Sequence, residues 1–388
     1  MSRPGLCFIN AGLRPGRPGS LRVLGDTIVS LDLPPEPGDR IVDLQGDRLL
    51  PGLINAHDHL QLNDLPRLKY RAQYGNFTEW VDDIQPRLAR EPLFIAHHAL
   101  PRARRLLIGG IKNLLSGVTT VAQHDPGDAS LAAPDFPLRV LAEQGWSHSL
   151  ALDGGEAVLA ACERTPAHWP WIVHAAEGVD GAAADDFDTL EALGCLRPNS
   201  LLVHGVALDA GRRRRLIESG AALVWCPGSN QHLFGCTVAV EGLFGQRRLA
   251  IGSDSRISGE RDLLDELRVA ADCSPLDDAA LESLVTERNA QLLRCSDRGV
   301  LRPGALADLV ALPAGMPLTQ ARRSDLRLVV VGGQPRYADP ALALAFDDPA
   351  FDAVRVDGRD KRLARHLAVA LRAAGIAEPG LDLAPQAS

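Results

Sequence analysis

Two histidines, His57 and His59, close the apolar run "LLPGLINAHDHL" at residues 49–60. An extended chain alternates its side chains between two faces, so both imidazoles point one way and Asp58 points the other. Two imidazoles on one side of a strand end can share one metal ion. A chance pair on a solvated loop is the competing reading, and the motif alone does not separate the two. Groups of the same chemistry recur along the chain. His124 follows "GVTTVAQ", His174 follows "WIV", His204 follows "SLLV", and Asp254 ends "LAIGSD". A buried strand has no structural need for histidine at its end. If these strands run parallel in a barrel, their ends converge on one mouth, where such folds carry their active sites.

The elements that must position these residues follow from the apolar pattern. From residue 49 onward, short apolar runs alternate with helical stretches such as "DAGRRRRLIESG" and "RDLLDELRVAAD". Near-continuous hydrophobic strands alternating with helices imply an α/β fold whose parallel sheet is buried on both faces. The chain has 388 residues, enough for an α/β barrel of about 250 residues and a smaller module. The first 48 residues and those after about 296 read instead as short β-runs broken by Gly and Pro. Near the end, Leu363, Leu367 and Leu371 share one helical face, with Gly375 as the stop. Arg212 to Arg215 read as the solvated face of a crossover helix.

Composition excludes several classes. A formal net charge of −8 argues against a nucleic-acid or anionic-membrane surface. No apolar run reaches about 18 residues, and the opening "MSRPGLCFIN" lacks the apolar segment of a signal peptide. The seven scattered cysteines contain no CxxC pair and read as reduced thiols. A cytoplasmic protein is expected.

The ordered set "PGLINAHDHL", "GVTT", "HAAE", "VHGVAL", "CPGSN", "GSDS" and "RPGALADLV" resembles the amidohydrolase superfamily, in its branch of cytosine deaminases, guanine deaminases and triazine hydrolases of the ATZ/TRZ type. The likeness spans roughly residues 40 to 335. It implies a (β/α)8 TIM-type barrel over 49–297 and a composite β-sandwich built from 1–48 and 298–338. Residues 339–388 are left as a helical tail. It further implies metal ligands at His57, His59, His174 and Asp254, a catalytic acid at Glu177, and a histidine facing the reacting water at His204. The segment between "GVTTVAQHDP" and "WIVHAAEG" is short, so the third and fourth barrel units must be abbreviated. Three imidazoles with one carboxylate suit Zn²⁺ first and Fe²⁺ as the alternative, rather than a hard ion such as Mg²⁺. Asp254 can contact the ion and also accept the water's proton. Two-metal members bridge their ions with a modified lysine ending the fourth strand. This chain has only Lys69, Lys112 and Lys361, none at such a place, so one ion per chain is expected.

Three further residues have two readings each. His124 either touches substrate or hydrogen-bonds a metal ligand. Asn230 of "CPGSN" either orders its loop or contacts substrate. Trp80 of "NFTEWVDDI" either packs or roofs the pocket. His97 and His98 are read as surface histidines of a helix. The expected partners are a small heterocyclic substrate and a second copy of the chain, a dimer first.

The first function this set supports is a hydrolytic deaminase of an aminated purine, pyrimidine, pterin or triazine ring, acting through a metal-activated water and releasing ammonia. The alternative is hydrolysis of a cyclic amide, or removal of a non-amine leaving group, on the same scaffold. A barrel without chemistry, serving as an interaction surface, is the third reading, disfavoured because every ligand is present. Glu177 favours the first, because expelled ammonia needs a proton donor whereas a halide leaves as an anion.

Overall fold

The computed structural model describes residues 5–14, 17–346 and 350–383. The chain begins with β1 (Leu6–Arg14), β2 (Arg17–Leu24), β3 (Thr27–Leu31), β4 (Arg40–Asp43) and β5 (Arg48–Pro51). β1 pairs antiparallel with β2 and parallel with β4, and meets β5 through one pair, Gly12 opposite Arg48.

Eight strands follow: β6 (Leu53–Asp58), β7 (Val118–Gln123), β8 (Arg139–Val140), β9 (Gly145–Ser147), β10 (Trp171–Ala175), β11 (Ser200–His204), β12 (Ala222–Trp225) and β13 (Leu249–Ile251). Every pairing among them is parallel. Most are buried along their whole length, the burial that near-continuous apolar runs anticipate. β8 and β9 are joined by residues 141–144 with no helix between them, which is the abbreviation the short segment requires.

The strands form two ladders, β6-β7-β8 and β9 through β13, rather than one continuous barrel ladder. At the β13–β6 seam, side chains supply the missing bonds. Asn289 donates from Nδ2 to the carbonyls of Ile54 and Ile251, each at 2.8 Å, and its Oδ1 accepts from the Ile251 amide at 3.0 Å. Gly252 permits the close approach, since a Cβ there would lie 2.6 Å from the His57 Cβ.

The remaining strands are β14 (Leu309–Leu312), β15 (Leu328–Val331), β16 (Gln334–Ala338), β17 (Phe351–Val356), β18 (Arg359–Ala364) and β19 (Leu381–Leu383). β14 pairs antiparallel with β5, Leu309 opposite Pro51, so the two ends of the chain share one 11-stranded sheet.

The segment expected to be a helical tail differs. β17 and β18 form a hairpin over 351–364, and the helix covers only Arg365–Ala374. The two-residue turn is Asp357-Gly358, with φ of 47° and 80°. Positive φ at both positions is the turn whose twist matches paired strands, and "DG" between alternating runs is its sequence sign. Leu363 therefore lies in β18, while Leu367 and Leu371 bury the helix and Gly375 ends it at φ 61°.

A buried ion network ties this last segment to the loop after β13. Glu378, 3 % exposed, accepts from Arg323 Nη1 at 2.8 Å and from Arg256 Nη2 at 2.9 Å. Arg323 is fully buried and also reaches Asp357 Oδ1 at 2.7 Å. Removing one partner of such a group leaves uncompensated buried charge. Glu378→Ala should therefore cost about 3–5 kcal/mol of stability, read as a lowered denaturant midpoint. A loss well under 1 kcal/mol would contradict this.

Candidate metal centre

The polar strand ends meet at one point. His57 is in β6 and His59 lies one residue beyond it; His174 is in β10, His204 ends β11, and Asp254 follows β13. Backbone conformation aims several of them. Ala176, His204 and Asp254 hold φ of 53°, 74° and 52°. A left-handed non-glycine residue costs on the order of 1–3 kcal/mol and persists only where its surroundings enforce it.

Nε2 of His174 lies 3.3 Å from Nε2 of His59 and 3.3 Å from Nε2 of His57. Oδ1 of Asp254 lies 3.7 Å from His57 Nε2 and 3.8 Å from His59 Nε2. Donors about 2.0–2.1 Å from a tetrahedral ion sit about 3.3–3.4 Å apart, so His174 stands from both His57 and His59 at the spacing a Zn²⁺-like ion requires. Each Nδ1 is tied elsewhere, leaving Nε2 turned inward. His59 Nδ1 donates to Asp125 Oδ2 at 2.6 Å, and His174 Nδ1 to the His148 carbonyl at 2.7 Å. His57 Nδ1 meets His124 Nδ1 at 3.2 Å. Burial pushes His57 and His174 well below the ordinary histidine value, which keeps them neutral. Burial also opposes a charge on His59, but Asp125 and Asp254 outweigh it and raise that histidine to about 9. An ion and a proton therefore compete for His59.

Ring nitrogens of His57, His59, His124 and His174 all lie within 4.8 Å of one another. His124 differs from the other three in its hydrogen bonds. Its Nε2 donates to the Ser147 carbonyl at 2.7 Å, which leaves Nδ1 to accept from His57. Burial, with His59 close by, lowers His124 to about 3, so the acceptor nitrogen stays free of a proton. The residue is fully buried. Both ring nitrogens of His124 are engaged, which fits the reading of this residue as partner of His57.

A polar floor lies beneath. Asp58 points away from the two histidines, as strand alternation requires, and accepts from Asn113 Nδ2 at 2.7 Å and Asn63 Nδ2 at 2.9 Å. Lys112 Nζ, fully buried, donates to the Asp254 carbonyl at 3.0 Å and lies 3.2 Å from Asp58 Oδ2. It thereby holds the Asp254 backbone in its left-handed conformation. Ser258 Oγ donates to Asp254 Oδ2 at 2.7 Å, leaving Oδ1 on the side of the imidazoles.

Glu177 and His204 face each other across the same mouth, with Oε1 3.6 Å from Nε2. Burial raises the Glu177 carboxyl to about 7, with His204 opposing and Asp254 reinforcing. His204 Nδ1 donates to Asn230 Oδ1 at 2.9 Å, while Asn230 Nδ2 donates to Thr237 Oγ1 at 3.0 Å. Asn230 is fully buried, and its side chain is held between His204 and Thr237. Trp80 lines a cavity of about 200 Å³ over the histidines, together with Phe77, Leu233 and Ile257. Its Nε1 donates to the Leu68 carbonyl at 3.0 Å, which fixes the ring. Of the two histidines read as surface residues, His97 is 4 % exposed and pairs with Asp64 at 2.8 Å.

No family model matches the chain. It is 32% identical over 334 residues to a 5-methylthioadenosine/S-adenosylhomocysteine deaminase from Haloquadratum walsbyi, covering 72% of this chain and 74% of that protein. The chain belongs to the amidohydrolase superfamily. It falls among the deaminases and is a hydrolase of C–N bonds. An 8-oxoguanine deaminase from Pseudomonas aeruginosa is 26% identical, with 80% of this chain and 86% of that one covered. Among solved structures, an atrazine chlorohydrolase variant from Arthrobacter aurescens TC1, complexed with zinc and atraton, has the same fold as this superfamily member. That match has a TM-score of 0.70 at 18% identity and covers 85% of this chain and 94% of that one.

Three residues of the centre, Asp125, His148 and Lys112, carry no motif that marks them in the sequence. Asp125 has one usable signal, since it directly follows His124 at a strand end, and carboxylates that accept from metal-ligating histidines are common. Asp125→Ala removes the acceptor that fixes the His59 tautomer. It should weaken metal affinity about 10–100-fold, measured by competition with a chromophoric chelator. Unchanged affinity would show that His59 does not depend on Asp125.

Proposed function

We propose that this chain is a metal-dependent hydrolytic deaminase acting on an aminated heterocycle of purine, pyrimidine, pterin or triazine type. The observation that carries the reading is Glu177, a buried carboxyl with no side-chain hydrogen bond among the described residues, facing His204 across the mouth where the donors converge. His57, His59, His174 and Asp254 would hold one divalent ion, zinc first and iron as the alternative. When bound, such an ion supplies the Lewis acidity that lowers the pKa of water to about 7.

The chain's own groups then manage the protons. Asp254 accepts the proton of the attacking water, and His204 Nε2 orients the water or the substrate atom beside it. Glu177 delivers a proton to the ring nitrogen as oxygen adds to the amine-bearing carbon. As the carbon–nitrogen bond breaks, the amine takes the proton held by Asp254 and leaves as ammonia, while the added hydroxyl gives its proton to Glu177 and the ring retains a carbonyl. A carboxyl raised to about 7 is near half-protonated at neutral pH, so it can both give and regain the proton. Phe77, Trp80 and Leu233 wall the cavity and exclude bulk water. The deaminase names of the sequence relatives support the same class. In this reading the two ladders over 49–297 act as one barrel. Residues 1–48 and 298–338 act as its composite β-sandwich.

The second reading, loss of a non-amine group, is favoured by one finding, the zinc-containing chlorohydrolase of the same fold. Glu177→Gln separates the two, because it keeps size and hydrogen bonding but cannot cycle a proton. It should retain one equivalent of metal and the fold while losing about 10²–10⁴-fold in kcat on an amino substrate. Equal, small effects on an amino substrate and its chloro analogue would favour the second reading.

A further inference from the structure

Two chambers meet at Glu177. The first is the cavity of about 200 Å³ over the converging donors, whose outer wall includes Phe77, Trp80, Val81, Leu152 and Leu233. The second, about 400 Å³, is also lined by Phe77 and Glu177. It runs between Leu150 and Ala151 and the helix Gly181–Ala192, from which Asp185 and Asp186 face it. Both chambers are lined by Phe77 and Glu177, so the acidic groups of the second stand beside a ring seated over the donors. Glu177 is 7 % exposed and lines both.

Charge is distributed unevenly around this path. Neither lining contains a lysine or an arginine. The first chamber presents Asp125, Asp254 and Glu177; the second presents Glu177, Asp185 and Asp186. Two residues along the same helix, Asp188 is paired with Arg212 at 2.6 Å. No such ion pair is formed by Asp185 or Asp186 among the described residues. Burial pushes Asp186 up to about 6, and only the Ala176 backbone amide opposes that rise.

We infer that this site selects its substrate by charge: the substituent beside Glu177 is neutral or cationic, and an amino-heterocycle bearing a carboxylate or phosphate there is excluded. The inference rests on the deaminase reading for the identity of the ring. Like charges brought together in a partly desolvated cleft repel strongly, and the lining of the second chamber offers an anion no cationic side chain. A hydroxyl or ammonium, in contrast, finds acceptors in Asp185 and Asp186.

The test uses amino-purine, amino-pyrimidine and amino-triazine rings, each carrying a hydroxyalkyl, aminoalkyl or carboxyalkyl arm of one length. Ammonia release from the metal-loaded protein and competitive binding are both measured. On any ring turned over, kcat/KM for the hydroxyl and ammonium members should exceed that for the carboxylate by about 10–100-fold. Asp185→Asn combined with Asp186→Asn should narrow the gap several-fold, chiefly by raising kcat/KM for the carboxylate member. Asp185→Asn alone, at an exposed position, should give part of that change. Turnover of the carboxylate member as fast as the hydroxyl member would overturn the inference, as would a gap that survives both substitutions. Charge-selective binding without ammonia release would support it and overturn the deaminase reading. Neither release nor selective binding would overturn both.

Discussion

Imidazole nitrogens turned toward one another at 3.3 Å cannot each carry a proton into the space between them. That constraint organises the centre of this protein. His57, His59 and His174 can present three lone pairs only if every Nδ1 holds a proton and has an acceptor for it. His124, Asp125 and the His148 carbonyl are those acceptors. His124 can accept only because its other nitrogen donates to Ser147. Burial holds His57 and His174 neutral, whereas Asp125 and Asp254 raise His59, so a ligand there has a proton to displace. The outer residues are thus as necessary to the donor set as the ligands themselves.

The fold serves that constraint at several distances. Left-handed backbone at Ala176, His204 and Asp254 turns strand ends inward, and its cost is met by buried groups such as Lys112, which grips the Asp254 carbonyl. Asn289 holds the seam between the strand of His57 and the strand before Asp254, where no ladder does so. Further out, Arg256, two residues after Asp254, is fixed by Glu378 near the end of the chain. The positions of His57 and Asp254 therefore depend on contacts made far from the mouth.

Much of this is legible in the sequence, for a physical reason. Histidines at the ends of buried strands have few structural explanations, and parallel strands bring such ends together. His57, His59, His174, His204 and Asp254 can be placed at one mouth on that ground. Partners are harder to read. His124 and Asn230 have the chemistry of substrate contacts, and their hydrogen bonds to His57 and His204 cannot be read from the sequence. Lys112 reads as an ordinary helical lysine, because no pattern marks a side chain that reaches beneath a site. The hairpin at 351–364 is hidden because the leucine spacing beyond it suggests one long helix, although Asp357-Gly358 carries a turn signal.

All of this turns on which atoms hold the ion. Anomalous diffraction from crystals of the zinc-loaded protein measures that directly. The expected result is one peak per chain, about 2.0–2.1 Å from Nε2 of His57, His59 and His174, with Asp254 Oδ1 on the same ion and His124 still bonded to Ser147. A second peak of similar height, or an ion bound through His124 with Asp254 turned away, would contradict it.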